Sequence, residues 1–156
     1  MMAGLQVIDR LLVFSPDEAG ESVLTIPALG ALRRSYPFSR IILMATPAVF
    51  DTVRRLPFID AAAHRGARDE AAYIGMIAGL SCKGAVIFTS PGRSPYPDAY
   101  RCYLAGIPVR VGESCEFGGG VLSHWVRTAA GARPQDRYLS LVAQLPGSSI
   151  SREMGP

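Results

Sequence analysis

Short apolar blocks alternate along this chain with longer stretches in which apolar residues recur every third or fourth position. The first block, Leu11 to Phe14, belongs to an expected strand at about residues 7–14. A polar turn with Gly20 follows, and then a helix-periodic stretch over about residues 21–34, with Leu24, Ala28, Leu29 and Leu32 as its buried face. Pro27 falls inside it, so the helix either starts near Ile26 or kinks there, because a proline past the first turn removes a hydrogen bond and crowds the preceding turn. Residues 40–44 are continuously apolar after Arg40, the pattern of a parallel strand covered on both faces. Thr46-Pro47 opens a second helix, and Pro57 stops it.

The alternation continues. Residues 58–63 form a short, edge-like strand, 69–80 a helix, and 85–89 a strand that runs into the polar loop 90–97. A helix at 98–105 ends at Gly106, and 107–111 is a further strand. Beyond Gly112 the chain turns glycine-rich, residues 121–127 read as a strand or an irregular packing segment, 129–135 as a linker and 136–145 as a last helix. This order predicts a single Rossmann-like, three-layer α/β domain with a mostly parallel sheet over residues 6–145, and a disordered tail at 146–156. In open α/β sheets ligands sit at the carboxyl ends of the strands, which directs attention to the loops 15–22 and 90–97.

Composition narrows the picture. The 156 residues suit one domain, and no apolar run approaches the ~20 residues of a membrane span. Asp9 and Arg10 interrupt the amino-terminal apolar segment, so no signal peptide is read and the cytoplasm is the expected compartment. Sixteen basic residues, all arginine but Lys83, stand against thirteen acidic ones and are spread along the chain, which argues against a nucleic-acid groove. A basic rim for anionic glycans, phosphates or lipid headgroups stays open beside an ordinary solvated face. Cys82, Cys102 and Cys115 are odd in number without CxxC spacing, which fits free thiols in a reducing compartment.

Two loops carry candidate chemistry, each with a plainer reading. Asp17, Glu18 and Glu21 cluster after the first strand, where spacing alone favours loop solvation and a helix amino terminus over catalysis. Gly20 is expected to permit a tight approach of loop to helix; no G-x-G-x-x-G accompanies it. In the second loop Ser90, Arg93 and Ser94 fit an acceptor contact, with Arg93 pairing to a phosphate or carboxylate, and fit a proline-rich surface connection equally well. The run Gly118-Gly119-Gly120 lacks the Lys-Ser/Thr ending of a phosphate loop. His64 and His124 have no second ligand at metal spacing, and Trp125 is expected to pack against the domain.

Arg10 to Phe14, Gly20-Glu21, Pro27-Ala28-Leu29, Leu32-Arg33 and Tyr36-Pro37 come in the order of the opening motifs of glycosyltransferase family 9. Leu56-Pro57-Phe58-Ile59-Asp60, the run from Ala105 to Gly112 and Arg137-Tyr138-Leu139 with Leu141 extend the match. The chain thus resembles the N-terminal, acceptor-side domain of these lipopolysaccharide heptosyltransferases.

The resemblance implies half of a GT-B enzyme, inverting transfer from a nucleotide sugar, and a carboxylate base at Glu21. Asp17, Gly20, Ser90, Arg93 and Ser94 would lie on the acceptor side, with no cofactor and no metal. The family has aspartate where this chain has Glu21, a methylene longer, and a shift of about 1 Å can change a rate on the order of 10²-fold. Nothing in these residues supplies a donor domain. A partner chain or a homodimer would have to complete the cleft over a glycan or lipid-linked acceptor, at the cytoplasmic face of the inner membrane if the acceptor is there. A non-catalytic interaction or regulatory module of the same fold is the alternative.

Overall fold

A computed structural model describes residues 8–65, 69–114, 120–127 and 131–148. Six strands form one sheet: β1 (Arg10–Phe14), β2 (Arg40–Ala45), β3 (Ala61–His64), β4 (Gly84–Ile87), β5 (Val109–Glu113) and β6 (His124–Val126). Their spatial order is β3-β2-β1-β4-β5-β6, and every neighbouring pair is parallel. Six helices complete the domain: α1 (Ala19–Leu24), α2 (Ile26–Ser35), α3 (Pro47–Val53), α4 (Glu70–Gly79), α5 (Tyr96–Leu104) and α6 (Pro134–Val142).

The strands are apolar without alternation because both sheet faces are covered. Leu11, Val13, Ile41, Leu43, Val86 and Val111 point to one face, where they meet α2, α3 and α6 through Leu29, Leu32, Val53, Tyr138 and Leu141. Leu12, Phe14, Ile42, Met44, Ala85 and Ile87 point to the other, against Tyr73 and Ile77 of α4 and Ala99 and Cys102 of α5. This is the three-layer, Rossmann-like α/β architecture that the alternation predicts.

The expected helix over 21–34 is two helices. Thr25 breaks it, its hydroxyl donating to the Ser22 carbonyl at 2.6 Å, and α2 restarts so that Pro27 falls in its first turn, where a missing N–H leaves nothing unsatisfied. The third strand lies slightly later than expected, because Phe58 turns the chain at φ 75°. Arg33 fastens that turn, donating to the carbonyls of Phe58 at 3.0 Å and Ser39 at 2.7 Å and to Asp60 at 2.6 Å. Residues 121–127 resolve into the short edge strand β6, in which Trp125 is 54% exposed, contrary to the expected packing: Val126 takes the inward position and the alternation turns the indole out. The last helix begins at Pro134, inside the expected linker. Of the expected tail, Ser148 is buried and the Tyr36 hydroxyl donates to the Pro146 carbonyl. Val7, Cys115, Gly118, Gly119 and the tail beyond Ser148 lie outside the described residues.

Candidate functional site

The sheet changes direction between β1 and β4, since β2 and β3 extend to one side of that pair and β5 and β6 to the other. The chain leaving β1 enters helices on one face and the chain leaving β4 enters α5 on the opposite face. Their divergence opens a crevice at the carboxyl end of the sheet, the topological switch point of an open α/β fold. A cleft of about 390 Å³ occupies this point. Its walls are Ser15, Pro16 and Asp17 after β1, Phe88 to Ser90 and Gly92 to Ser94 after β4, Pro97 and Asp98 of α5, and Arg65 from beyond β3.

Short polar contacts hold the first wall. Ser15 and Ser22 share a 2.7 Å hydroxyl contact, and Ser22 also donates to the Glu18 carbonyl at 3.0 Å. The second wall begins with a turn in which the Arg93 amide donates to the Ser90 carbonyl at 3.0 Å and Gly92 takes φ 80°. Pro91 and Gly92 suit a type II turn, which demands a left-handed residue in its third position. The turn presents Arg93 at the cleft, exposed and without an ion-pair partner among the described residues. Ser90 is 3% exposed, and its Oγ has no hydrogen-bond partner among the described residues. Ser94 accepts from the Tyr96 amide at 3.2 Å in the turn that leads into α5.

Arg65 and Asp98 are absent from the sequence expectations. Asp98, 4% exposed, pairs with Arg65 and, at 3.0 Å, with Arg101. Arg65 also reaches Asp17 at 3.1 Å and lies 5.7 Å from the Phe14 ring centroid. Arg101 binds both oxygens of Glu70 at 2.9 Å, and that contact holds the Glu70 carboxyl below its ordinary value. A chain of alternating charges thus runs from Asp17 through Arg65, Asp98 and Arg101 to Glu70. Sequence offers little to find it, because Arg65 and Asp98 are 33 positions apart and only the fold joins them.

Asp17, Ser90, Arg93 and Ser94 meet around the one cleft. Glu21 and Gly20 do not line it. Glu21, half-buried on α1, accepts the Tyr138 hydroxyl at 2.5 Å, and Tyr138 also lies 3.1 Å from the Thr89 carbonyl at the cleft wall. Gly20 lies within α1, and a Cβ there would meet nothing within 4 Å outside its own helix.

Polar and titratable residues away from the cleft have structural surroundings of their own. Arg110 donates to the carbonyls of Val121 at 2.6 Å and Ile107 at 2.7 Å. His64 stacks on Phe50 with centroids 3.7 Å apart, and His124 Nδ1 lies 2.8 Å from the Ser123 hydroxyl. Cys82 and Cys102 are free and buried, and burial pushes their thiols up to about 11 and about 12. Among the described residues no helix is long and apolar enough to cross a membrane.

The parallel sheet and its switch-point cleft define a Rossmann-like α/β domain. Among solved structures, the fold matches E. coli ADP-heptose lipopolysaccharide heptosyltransferase II with a TM-score of 0.75 at 21% identity, over 94% of this chain and 44% of that one. A glycosyl transferase family 9 protein from Veillonella parvula matches at 0.69 and 19% identity, over 90% and 42% of the two chains. E. coli heptosyltransferase WaaC with ADP matches at 0.66 and 14% identity, over 90% and 48%. The chain therefore spans less than half the length of these proteins. No family model and no curated protein matches its sequence.

Proposed function

We propose that this chain is the acceptor-side domain of a heptosyltransferase-type glycosyltransferase, acting in lipopolysaccharide assembly at the cytoplasmic face of the membrane. What carries the reading is that a fold shared over 94% of this chain with a heptosyltransferase opens its switch-point cleft between Asp17 and Arg93, in the two loops that the strand order marks for ligand contact. Arg93, and behind it Ser90, would meet the phosphate or carboxylate of a glycan acceptor. Glu21 would take the proton of an acceptor hydroxyl while that oxygen bonds to the anomeric carbon and the nucleoside diphosphate leaves from the opposite face. A donor-side domain would hold the nucleotide sugar over the cleft.

One observation favours the alternative of a non-catalytic module: the Glu21 carboxylate is engaged by Tyr138 and lies outside the cleft lining. Calorimetry with ADP- and UDP-activated sugars, followed by a product assay, separates the two. The transferase reading expects donor binding and turnover once a donor-side domain is supplied. Absence of binding at millimolar sugar nucleotide by that assembly leaves the module.

A further inference from the structure

Tyr138 stands where α6, the end of β4 and α1 converge. Its side chain is 1% exposed and packs edge-on against Phe88, with ring centroids 5.2 Å apart and planes at 68°. The preceding residue, Arg137, is held in a fork on Glu113 at 2.8 and 3.1 Å, which pins this turn of α6 to β5. From that fixed base the phenol oxygen lies 2.5 Å from Glu21 Oε2 and 3.1 Å from the Thr89 carbonyl. One hydroxyl proton faces two acceptors, and the shorter contact to a carboxylate is the stronger. Burial, and after it the bond to Glu21, pushes the phenol above its ordinary value, so the hydroxyl keeps its proton and remains a donor.

A glutamate has one more side-chain torsion than an aspartate, and a general base must hold its oxygens to within a fraction of an ångström. The rigid phenol removes that freedom from one oxygen and leaves the other unbound by Tyr138. We propose that Tyr138 is the positioning residue of the Glu21 carboxylate: by holding Oε2 it restricts the torsions of the longer glutamate side chain and fixes where the carboxylate stands, the catalytic half resting on the transferase reading above. The same hydroxyl lies against the Thr89 carbonyl, so the carboxylate is held in register with the cleft wall.

Two measurements test this. In the chain labelled with ¹³C at glutamate carboxyls, the Glu21 resonance is assigned by its loss in Glu21→Gln. Tyr138→Phe is expected to move it while leaving that of Glu70 in place, and an unmoved Glu21 resonance overturns the proposal. Should Tyr138→Phe not fold, the Tyr138 hydroxyl proton is followed in the parent chain and in Glu21→Gln; a downfield resonance that moves upfield supports the contact, and one that stays overturns it. In an assembly with a donor-side domain, Tyr138→Phe is expected to lower kcat about 10- to 100-fold with KM within about twofold, the loss of one hydrogen bond to a charged group. A changed KM with unchanged kcat overturns the positioning role. An unmutated assembly without turnover overturns the transferase reading and the catalytic half with it, whereas the resonance measurement still decides the carboxylate contact.

Discussion

Arg65, just beyond the edge strand β3, pairs with Asp98 in the first turn of α5, and so ties the outer part of the sheet to the far wall of the cleft. Asp98 is the buried member, with Arg65 and Arg101 partly exposed on either side. Asp98→Ala is therefore expected to destabilise the domain by about 2–4 kcal/mol, near the lower end for a broken buried pair because water can reach both guanidinium groups. Urea unfolding measures it; a loss under about 1 kcal/mol means the pair is a surface contact.

Ser90 and Arg93 separate stability from ligand contact. Removing an unpartnered buried hydroxyl by Ser90→Ala is expected to be neutral or to stabilise by up to about 1 kcal/mol. Arg93→Ala is expected to stay within about 0.5 kcal/mol of the parent. Thermal melts check both, and a clear drop for either identifies a structural role in place of a ligand contact.

Two glycines should respond in opposite directions. A Cβ on Gly112 in β5 would stand 3.0 Å from Leu122 Cδ2 and 3.0 Å from Pro95 Cβ, so Gly112→Ala is expected to cost about 1–3 kcal/mol by overpacking. Gly20 has open space and helical surroundings, so Gly20→Ala is expected to gain about 0.5 kcal/mol. Denaturant midpoints of the two variants on opposite sides of the parent value are the expected result.

Asp60 accepts the Ile41 amide at 2.8 Å and the Arg33 guanidinium at 2.6 Å. The backbone hydrogen bond foremost, and then Arg33, holds its carboxyl below the usual aspartate value. A depressed folded value means that its stabilising contribution is present above the unfolded value of about 3.9 and is lost as pH falls through the folded one. Stability should decline on acidification below about pH 4, and Asp60→Asn should flatten that part of the curve. Unfolding midpoints across pH 2–6 read it directly, an undiminished slope in Asp60→Asn locating the acid sensitivity elsewhere.

The strands and their burial were legible because runs such as Ile41 to Met44 are short, apolar at every position and bounded by polar turns, as a parallel strand covered on both faces requires. The break at Thr25 was legible as a choice between two outcomes, since Pro27 demands a fresh helix start or a kink. The Trp125 position was not, because three residues of edge strand carry too short an alternation to say which side faces in. The cleft walls after β1 and β4 follow from topology alone. What could not be read is which polar groups meet: Arg65 reaches Asp98 across 33 positions, and Tyr138, which shows in the sequence only within the Arg137-Tyr138-Leu139 match, has its hydroxyl partner Glu21 117 positions away.

The strand at the middle of the sheet is also the first to be synthesised. Leu11 to Phe14 pair on one side with Ile41 to Met44, but on the other with Gly84 to Ile87. A growing chain therefore completes the β1-β2-β3 half-sheet well before β4 emerges, and through that interval the free side of β1 offers unpaired amides and carbonyls flanked by leucine, valine and phenylalanine. Such an edge invites a second nascent copy to pair with it. Long-range parallel pairing of this kind also slows folding, which makes yield sensitive to the rate of translation and to temperature during expression.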